Sequence, residues 1–512
     1  MKSKFSAKKV VIVVVFLLAA FIYYYVELPA FNIHSSGTWW FLFWLIVVIA
    51  VFTGMRSIRK MNEKNAGPDV EDSKGRKISK AYTIDFQNWK TVPKIIKVWV
   101  ILLLVFLLVF LVGYILSSPV VNAKKYQKLL KIETSNFASD ITEADYSTIP
   151  LLDRASAAIL GDRKMGSMVD MVSQFEVADD FTQINYQGIP VRVSPLEYAG
   201  FVKWFTNQKE GIPAYIRIDM TSQSTECVKL THAIKYSKSE YFNRNIYRHL
   251  RFRYPTYIFA DQIFFEIDED GNPVWICPVK KFNIGLFGGE TVSNVVICDA
   301  STGKCTDYAV EDVPKWVDKV YSAELLMQLY DYSGIYVRGF WNSILGQKDC
   351  LQTTNGYNYI AKDDDVWVYT GVTSVNSDQS NVGFVLMNQR TMETKFYVVE
   401  GAIEDSAMSS AEGQVQNLGY DATFPLLINV ADEPTYFMAL KDGAGLVKKY
   451  AMVNVEKYQW VAIGDTVREV EKNYRTLLST NGIESDALQE EQKVTGRIEA
   501  ISNVVLDGTT HV

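Results

Sequence analysis

Histidine and cysteine are scarce in this 512-residue chain, at four and five residues. No Cys-x-x-Cys or His-Glu-x-x-His string occurs, and Cys227 and His232, five apart, fall on opposite faces of one strand. No metal and no cofactor is expected. The Gly-x-Ser-x-Gly elbow and the phosphate loop are missing too. Gly443-Ala444-Gly445 lacks the spacing and the Lys-Ser/Thr ending, and Ser301-Thr302-Gly303-Lys304 lies in a turn, where its Ser and Lys do not stand one helical turn apart. Asp268-Glu269-Asp270-Gly271-Asn272 begins like a calcium loop, but no bidentate Glu follows among Ile276 to Lys281, and the segment reads better as a hairpin turn. Gly285-Leu286-Phe287-Gly288-Gly289 is too short a glycine-rich loop to signify a ligand. Basic charge also runs short: beyond residue 97 there are 37 Lys and Arg against 52 Asp and Glu. An acidic remainder argues against nucleic acid as a partner, because phosphate binding needs a basic face.

What the chain has in quantity is apolar sequence. Hydrophobic residues make up 48% of it, too many for disorder, and the length exceeds a single core. Three uncharged runs, Val10 to Val26, Thr38 to Met55 and Val98 to Leu116, hold 17, 18 and 19 residues. Each as a helix just spans a hydrocarbon core of about 30 Å. Tyr23-Tyr24-Tyr25 and Trp39-Trp40 sit where interfacial aromatic belts belong, and no small-residue cleavage site follows the first run. Lys2, Lys4, Lys8 and Lys9 precede the first run, none of Lys or Arg lies in 28–37, and eleven lie from Arg56 to Lys97. The positive-inside rule then places the N-terminus and the 56–97 loop in the cytoplasm and residues 117–512 outside it, with lipid as a partner of three spans.

The 396 residues after Leu116 alternate like strands, interrupted by short amphipathic stretches, which predicts α+β architecture: antiparallel hairpins with packed helices. A local pattern recurs, an apolar strand ending in Asp or Asn with Ser or Thr three places on: Ile218-Asp219 with Ser222, Cys298-Asp299 with Thr302, Met387-Asn388 with Thr391, and more loosely Leu440-Lys441-Asp442-Gly443. Such side chains satisfy turn amides. Helices are expected from Ser194-Pro195-Leu196-Glu197 to Gly211, from Asp312-Val313-Pro314 to Tyr321, from Ser406 to Leu418 and from Thr466 to Leu478. The expected division is a membrane anchor at 1–116, a juxtamembrane linker at 117–139, α+β modules at 140–310 and 311–480, and a partial all-β module from 490 to 512. Val504 to Val512 reads as a hairpin stopped after its Asp507-Gly508 turn, an expectation that the module continues beyond Val512.

The string Val296-Ile297-Cys298-Asp299-Ala300-Ser301-Thr302-Gly303-Lys304 resembles the hairpin of PepSY-type modules, an apolar run followed by Asp-Ala-x-Thr-Gly, over about 40 residues. The whole chain is similar to large membrane-anchored ectoproteins of Gram-positive bacteria. The segments around Asp219 and Asn388 depart from the pattern by lacking the Gly. The resemblance implies a non-catalytic module of the cell envelope that binds or restrains a partner, and it carries no catalytic residues over.

Three groups are the candidate sites. Arg244, Arg248, His249, Arg251 and Arg253 form a basic cluster in an acidic region, able to grip anionic envelope polymer or lipid headgroups with forked donors or to pair with the region's own carboxylates. Cys298 and Cys305 flank the Asp299 to Lys304 turn and could face each other as a disulfide or stay buried thiols; Cys227, Cys277 and Cys350 complete an odd set. Asp363, Asp364, Asp365 and Trp367 are the residues that an alternative reading, a hydrolase-like envelope enzyme, would draw on. The favoured expectation is an envelope scaffold that binds a protein or polymer partner without chemistry of its own.

Overall fold

A computed structural model of the chain describes residues 7–65, 70–71, 77–78, 92–144, 149–150, 152–376, 380–483, 504–506 and 509–511. Most of the charged run of the 56–97 loop, Gly75 included, lies outside them, as do residues 484–503. The first three helices are α1 (Ala7–Glu27), α2 (Ser36–Asn65) and α3 (Lys94–Ser117). Among the described residues, two segments are long and apolar enough to cross a membrane, Ser36–Met61 and Lys94–Ser117, and Val13–Glu27 is a shorter apolar stretch. An α-helix that is apolar all round needs an apolar solvent, and only Gly113 and Ser117 of α3 are buried. The helix stops where the sequence stops it: Ser118 precedes Pro119, which disfavours helical backbone at Ser118, and that residue is extended at φ −74°, ψ 156°.

The chain divides into two compact units, Met1–Asn136 with Ser147–Ile403, and Phe137–Tyr146 with Glu404–Val512. Position 310/311, the expected module boundary, therefore falls inside the first unit. The reason is a shared core: Ile276 and Val295, before that point, pack with Val317, Leu326, Val368 and Val385, after it.

The first unit repeats one device three times, a meander of four antiparallel strands. Its copies are Thr182–Tyr186, Ile189–Tyr198, Ile212–Asp219 and Thr225–Ile234; Phe264–Ile267, Pro273–Ile284, Gly288–Asp299 and Cys305–Ala309; and Asn358–Lys362, Asp365–Ser374, Ser380–Asn388 and Thr394–Tyr397. The recurrent Asp/Asn pattern is the turn between third and fourth strands in all three. Asp219 Oδ1 accepts from the N–H groups of Thr221 and Ser222, Asp299 Oδ1 from Ser301 and Thr302, and Asn388 Oδ1 from Arg390 and Thr391, all at 2.8–3.0 Å. The fifth residue is left-handed each time, Gln223, Gly303 and Met392. Only the middle copy needs glycine there, because a Cβ on Gly303 would come within 2.4 Å of the Tyr236 ring.

Strands of the middle meander are buried on both faces, so they read as continuous apolar runs. Trp275, Cys277, Val296 and Cys298 join a core with Leu196, Ile216 and Phe265 of the first and second meanders; Val274, Ile276, Val295 and Ile297 join the core shared with the third and with helix Ala323–Ile335. A parallel strand from far upstream, Glu133–Ser135, pairs with Thr394–Tyr397 and closes the third sheet.

Two expected helices are corrected. Ile189–Tyr198 is a strand, and the helix is only Phe201–Asn207. Cross-strand pairing of Ser194 with Ile216 and of Pro195 with Tyr215 overrides the local capping signature, and Ser194 Oγ donates to the Ala178 carbonyl instead. Residues 313–321 are not helical; the helix begins at Ala323, with Ser322 Oγ accepting from Leu325 N–H.

In the second unit, Leu426–Val430, Glu433–Lys441, Val447–Asn454 and Val461–Gly464 form another meander, and the looser Asp442 pattern is its middle turn, with Asp442 Oδ1 accepting from Ala444 and Leu446. Helices Glu404–Gln414 and Val467–Thr480 match the two expected there, the second capped by Thr466. Near the end of the sequence, the expectation of a hairpin stopped after its turn is corrected, because Val504–Leu506 pairs with Thr509–His511. The architecture is mixed helix and antiparallel sheet.

Candidate functional site

The basic cluster sits on the 3₁₀ turn Phe242–Arg244 and the helix Ile246–Arg253, whose Asn245 cap accepts from Arg248 N–H. Its donors serve backbone carbonyls. Arg248 Nε donates to Tyr25 O at 3.3 Å with its guanidinium 4.3 Å over the Tyr25 ring, and Arg251 Nε donates to Leu28 O at 2.8 Å. Those carbonyls end α1, where a helix leaves four acceptors unmatched and its dipole favours cations. Arg251 Nη1 also reaches Tyr257 O, and Arg244 Nη1 donates to Gln208 O. Arg253 is the exposed member. In the structure Arg248 and Arg251 of this cluster clasp the end of the first apolar helix.

The glycine-rich loop does the same for α3. Leu286 and Phe287 N–H both donate to Ser117 Oγ, at 2.8 and 3.0 Å, and the Phe287 ring lies 5.2 Å from Phe110 and 6.3 Å from Trp39 of α2. A Cβ on Gly288 would meet Ser117 O and Tyr126 Oη at 2.3 Å each. The loop is glycine-rich because a helix end passes over its backbone.

His249 does not join its arginine neighbours. It turns to the Cys298–Cys305 pair, and the three ligand atoms lie within 4.8 Å of one another. The cysteines are opposite in register, both buried, and are thiols in the structure, with Cys305 Sγ 2.8 Å from Cys298 Sγ. His249 Nε2–H donates to Gly303 O at 2.8 Å, and the Tyr236 ring lies 4.5 Å away. Hydrogen bonds from Cys298 and from His249 bring the Cys305 thiol down to about 6, while the bond to Cys305 and burial push Cys298 up. The bond to Cys305 raises His249. Each residue was legible as a candidate, but nothing in spacing joins residue 249 to the 298–305 turn.

A polar centre was missed altogether. Asp318 and Lys319 N–H donate to the two Glu266 carboxylate oxygens at 3.2 and 2.9 Å, Asp318 Oδ2 accepts from Asn185 N–H at 2.7 Å, and Lys319 Nζ donates to Gln389 Oε1 at 2.7 Å above the Tyr359 ring. Segment 318–321 thereby ties all three meanders together. Burial pushes Glu266 up to about 7 and Lys319 down to about 7, and raises Asp318. The signal was charges inside apolar strings, Phe265-Glu266-Ile267 and Val317-Asp318-Lys319-Val320. Two carboxylates with raised pKa do converge here, yet Glu266 is 0% and Asp318 1% exposed. Both are enclosed and accept from backbone N–H groups. Of the residues the enzyme reading drew on, Asp365 is paired with Arg390 through two bonds of 2.6 Å, Asp364 Oδ1 accepts from Asn185 Nδ2, Asp363 pairs with Lys362, and Trp367 is buried. They form turn and strand structure.

An open groove of about 610 Å³ lies between the first two meanders. Tyr186, Tyr215 and Trp316 supply aromatic walls, Arg217 and Lys304 cations, and Asp268 and Asp270 the acidic lip, so the calcium-like segment and the Ser-x-x-Lys string are its rims. Arg217 lies 5.3 Å over the Tyr186 ring and pairs with Glu226 at 2.6 Å. Asp268 is a turn residue, its carboxylate accepting from Asp270 and Asn272 N–H.

No family model matches the chain, and no curated protein matches it. Among solved structures, an ACO/RPE65 chimera and a mutant of Synechocystis apocarotenoid oxygenase are each 8% identical, covering 59% of this chain and 52% of theirs at a TM-score of 0.15, a likeness that carries no argument.

Proposed function

We propose that the chain is a three-span membrane protein that holds residues 117–512 outside the cytoplasm as a binding or scaffold component of a bacterial cell envelope, docking a partner protein in the groove beside Tyr186 and Trp316. The observation that carries this reading is how the β structure treats the apolar helices. It leaves their sides bare and grips their ends: the last carbonyls of α1 lie under Arg248 and Arg251, His34 between α1 and α2 donates to Leu286 O, and Ser117 at the end of α3 receives the Leu286 and Phe287 amides. Three crossings in alternate directions place those ends on one side, as the positive-inside count requires. A protein partner suits the groove because its lining combines cations, carboxylates and aromatic side chains, and aromatic and Arg anchors carry most of the energy of protein contacts. A polyanion would meet the acidic lip, and four members of the basic cluster already hold carbonyls.

The test is labelling in intact cells. A membrane-impermeant maleimide is expected to react with Asp270→Cys and to leave Gly75→Cys unlabelled until the cells are lysed. The reverse pattern overturns the orientation and the envelope reading with it.

A further inference from the structure

The Cys298–Cys305 pair occupies a particular kind of register position. Its neighbour toward the turn is the hydrogen-bonded pair of Asp299 N–H and Lys304 O, at 2.9 Å, which makes Cys298 and Cys305 a non-hydrogen-bonded pair. Cα atoms come closest at such positions, about 4.5 Å apart, and a disulfide bridges that spacing. The pair differs from the other three cysteines. Cys277 Sγ donates to the Trp275 carbonyl at 3.6 Å, Cys350 Sγ donates to Ile335 O, and Cys227 lies away on the first meander. Cys298 and Cys305 each have a second thiol and the imidazole within 4.8 Å of the sulfur, and it is Cys305 whose thiol the imidazole lowers. The imidazole is held by the Gly303 carbonyl and the Tyr236 ring, and Arg253 on the same helix adds positive charge near Cys305.

We propose that His249, Cys305 and Cys298 form a two-electron redox site that reduces a hydroperoxide and closes the Cys298–Cys305 disulfide. The Cys305 thiolate attacks the terminal peroxide oxygen and the O–O bond breaks. The departing alkoxide or hydroxide takes a proton from the His249 imidazolium and leaves as an alcohol or water, and Cys305 becomes a sulfenic acid. Cys298 then gives its proton to His249, and its thiolate attacks Cys305 Sγ. The S–O bond breaks, and the hydroxide leaves as water with the proton from His249. Two thiols and one hydroperoxide become one disulfide, one alcohol or water, and one water; the peroxide gains the two electrons the sulfurs lose. The asymmetry of the thiols suits these roles, with Cys305 lowered toward thiolate and Cys298 held protonated until the second step. Burial selects the oxidant: Cys305 is 6% exposed, which admits a hydroperoxide and excludes a protein disulfide. The site depends neither on the groove nor on the side of the membrane.

The full chain in detergent, reduced with a dithiol, desalted and given equimolar hydrogen peroxide, is expected to fall from five reactive thiols, counted after denaturation, to three, with Cys298 and Cys305 peptides joined and two hydrogens lost from the mass. Cys298→Ser should halt at a sulfenic acid on Cys305 that a carbon-acid probe captures, a positive signal that an unfolded variant would not confine to one residue. His249→Gln should slow the loss about tenfold, as the thiolate fraction falls and its nucleophilicity rises in part compensation. Cys277→Ser should oxidise like the parent. Equal thiol loss in Cys305→Ser, capture spread over several cysteines, a pair that no dithiol reduces, or copurified zinc that shields both sulfurs from peroxide each overturns the proposal.

Discussion

Arg251 and Arg253 are two residues apart on one short helix, and their fates show what a residue contributes here. Arg251 donates to Leu28 O and Tyr257 O and is partly buried, whereas Arg253 is exposed. Truncating Arg251 leaves carbonyls at a helix end without their charged donor. Arg251→Ala is therefore expected to lower stability by about 2 kcal/mol and Arg253→Ala by less than about 0.5 kcal/mol, measured by thermal unfolding in detergent. The sequence displayed the cluster plainly but not its partners, because a carbonyl at the end of α1 carries no side-chain signature. Glu266 and Lys319 were invisible for the opposite reason: a single charge within an apolar string reads as noise until the strands that satisfy it are brought together. Their titration has a definite sign. Glu266, at about 7 when folded and near 4.3 when unfolded, contributes stability that is complete below about 4.3 and lost as pH rises to about 7. Lys319, lowered to about 7 from near 10.4, contributes stability that is complete above about 10.4 and lost as pH falls to about 7. Urea midpoints should thus decline from pH 5 to pH 7, and Glu266→Gln should flatten that decline; an unchanged slope in the variant would show that Glu266 does not titrate there.

Among elements, the turns were read well and the helices unevenly. The Asp/Asn with Ser/Thr pattern was legible because its physics is local, one side-chain oxygen serving amides two and three residues on. Asp219→Ala and Asn388→Ala should each cost about 1 kcal/mol per lost bond, seen as a shift in unfolding midpoint, while substitution of Thr221, whose N–H remains, should cost less. The 194–211 segment misled because a helix-start signature was outweighed by two neighbouring strands, a tertiary term absent from any window of sequence. The Gly285 to Gly289 tip had the converse problem: its glycines were conspicuous, but their reason is a helix end lying across them. Gly288→Val should cost about 3 kcal/mol, since two oxygens of the α3 region occupy the space of its Cβ. Limited proteolysis between α3 and the hairpin would report the same loss as faster cleavage.

For the molecule as a whole, composition located the apolar N-terminal helices and said least about action. The contrast between fifteen Lys and Arg against six acids in residues 1–97 and the acidic remainder supports the proposed orientation, and the apolar runs coincide with α1, α2 and α3. The groove was not legible, because its walls come from strands and turns spread between residues 186 and 316. Of its residues, Trp316 is the one to test: if the proposed docking holds, Trp316→Ala should weaken capture of the partner at least tenfold, a loss larger than its effect on the unfolding midpoint accounts for.

The parallel strand Glu133–Ser135 has a consequence in time. It follows α3 by sixteen residues, yet its partner Thr394–Tyr397 is made some 260 residues later. A growing chain therefore exposes one side of that strand through the synthesis of all three meanders. The third sheet closes only when residue 397 is free, so the first unit matures as a late, single event and not meander by meander.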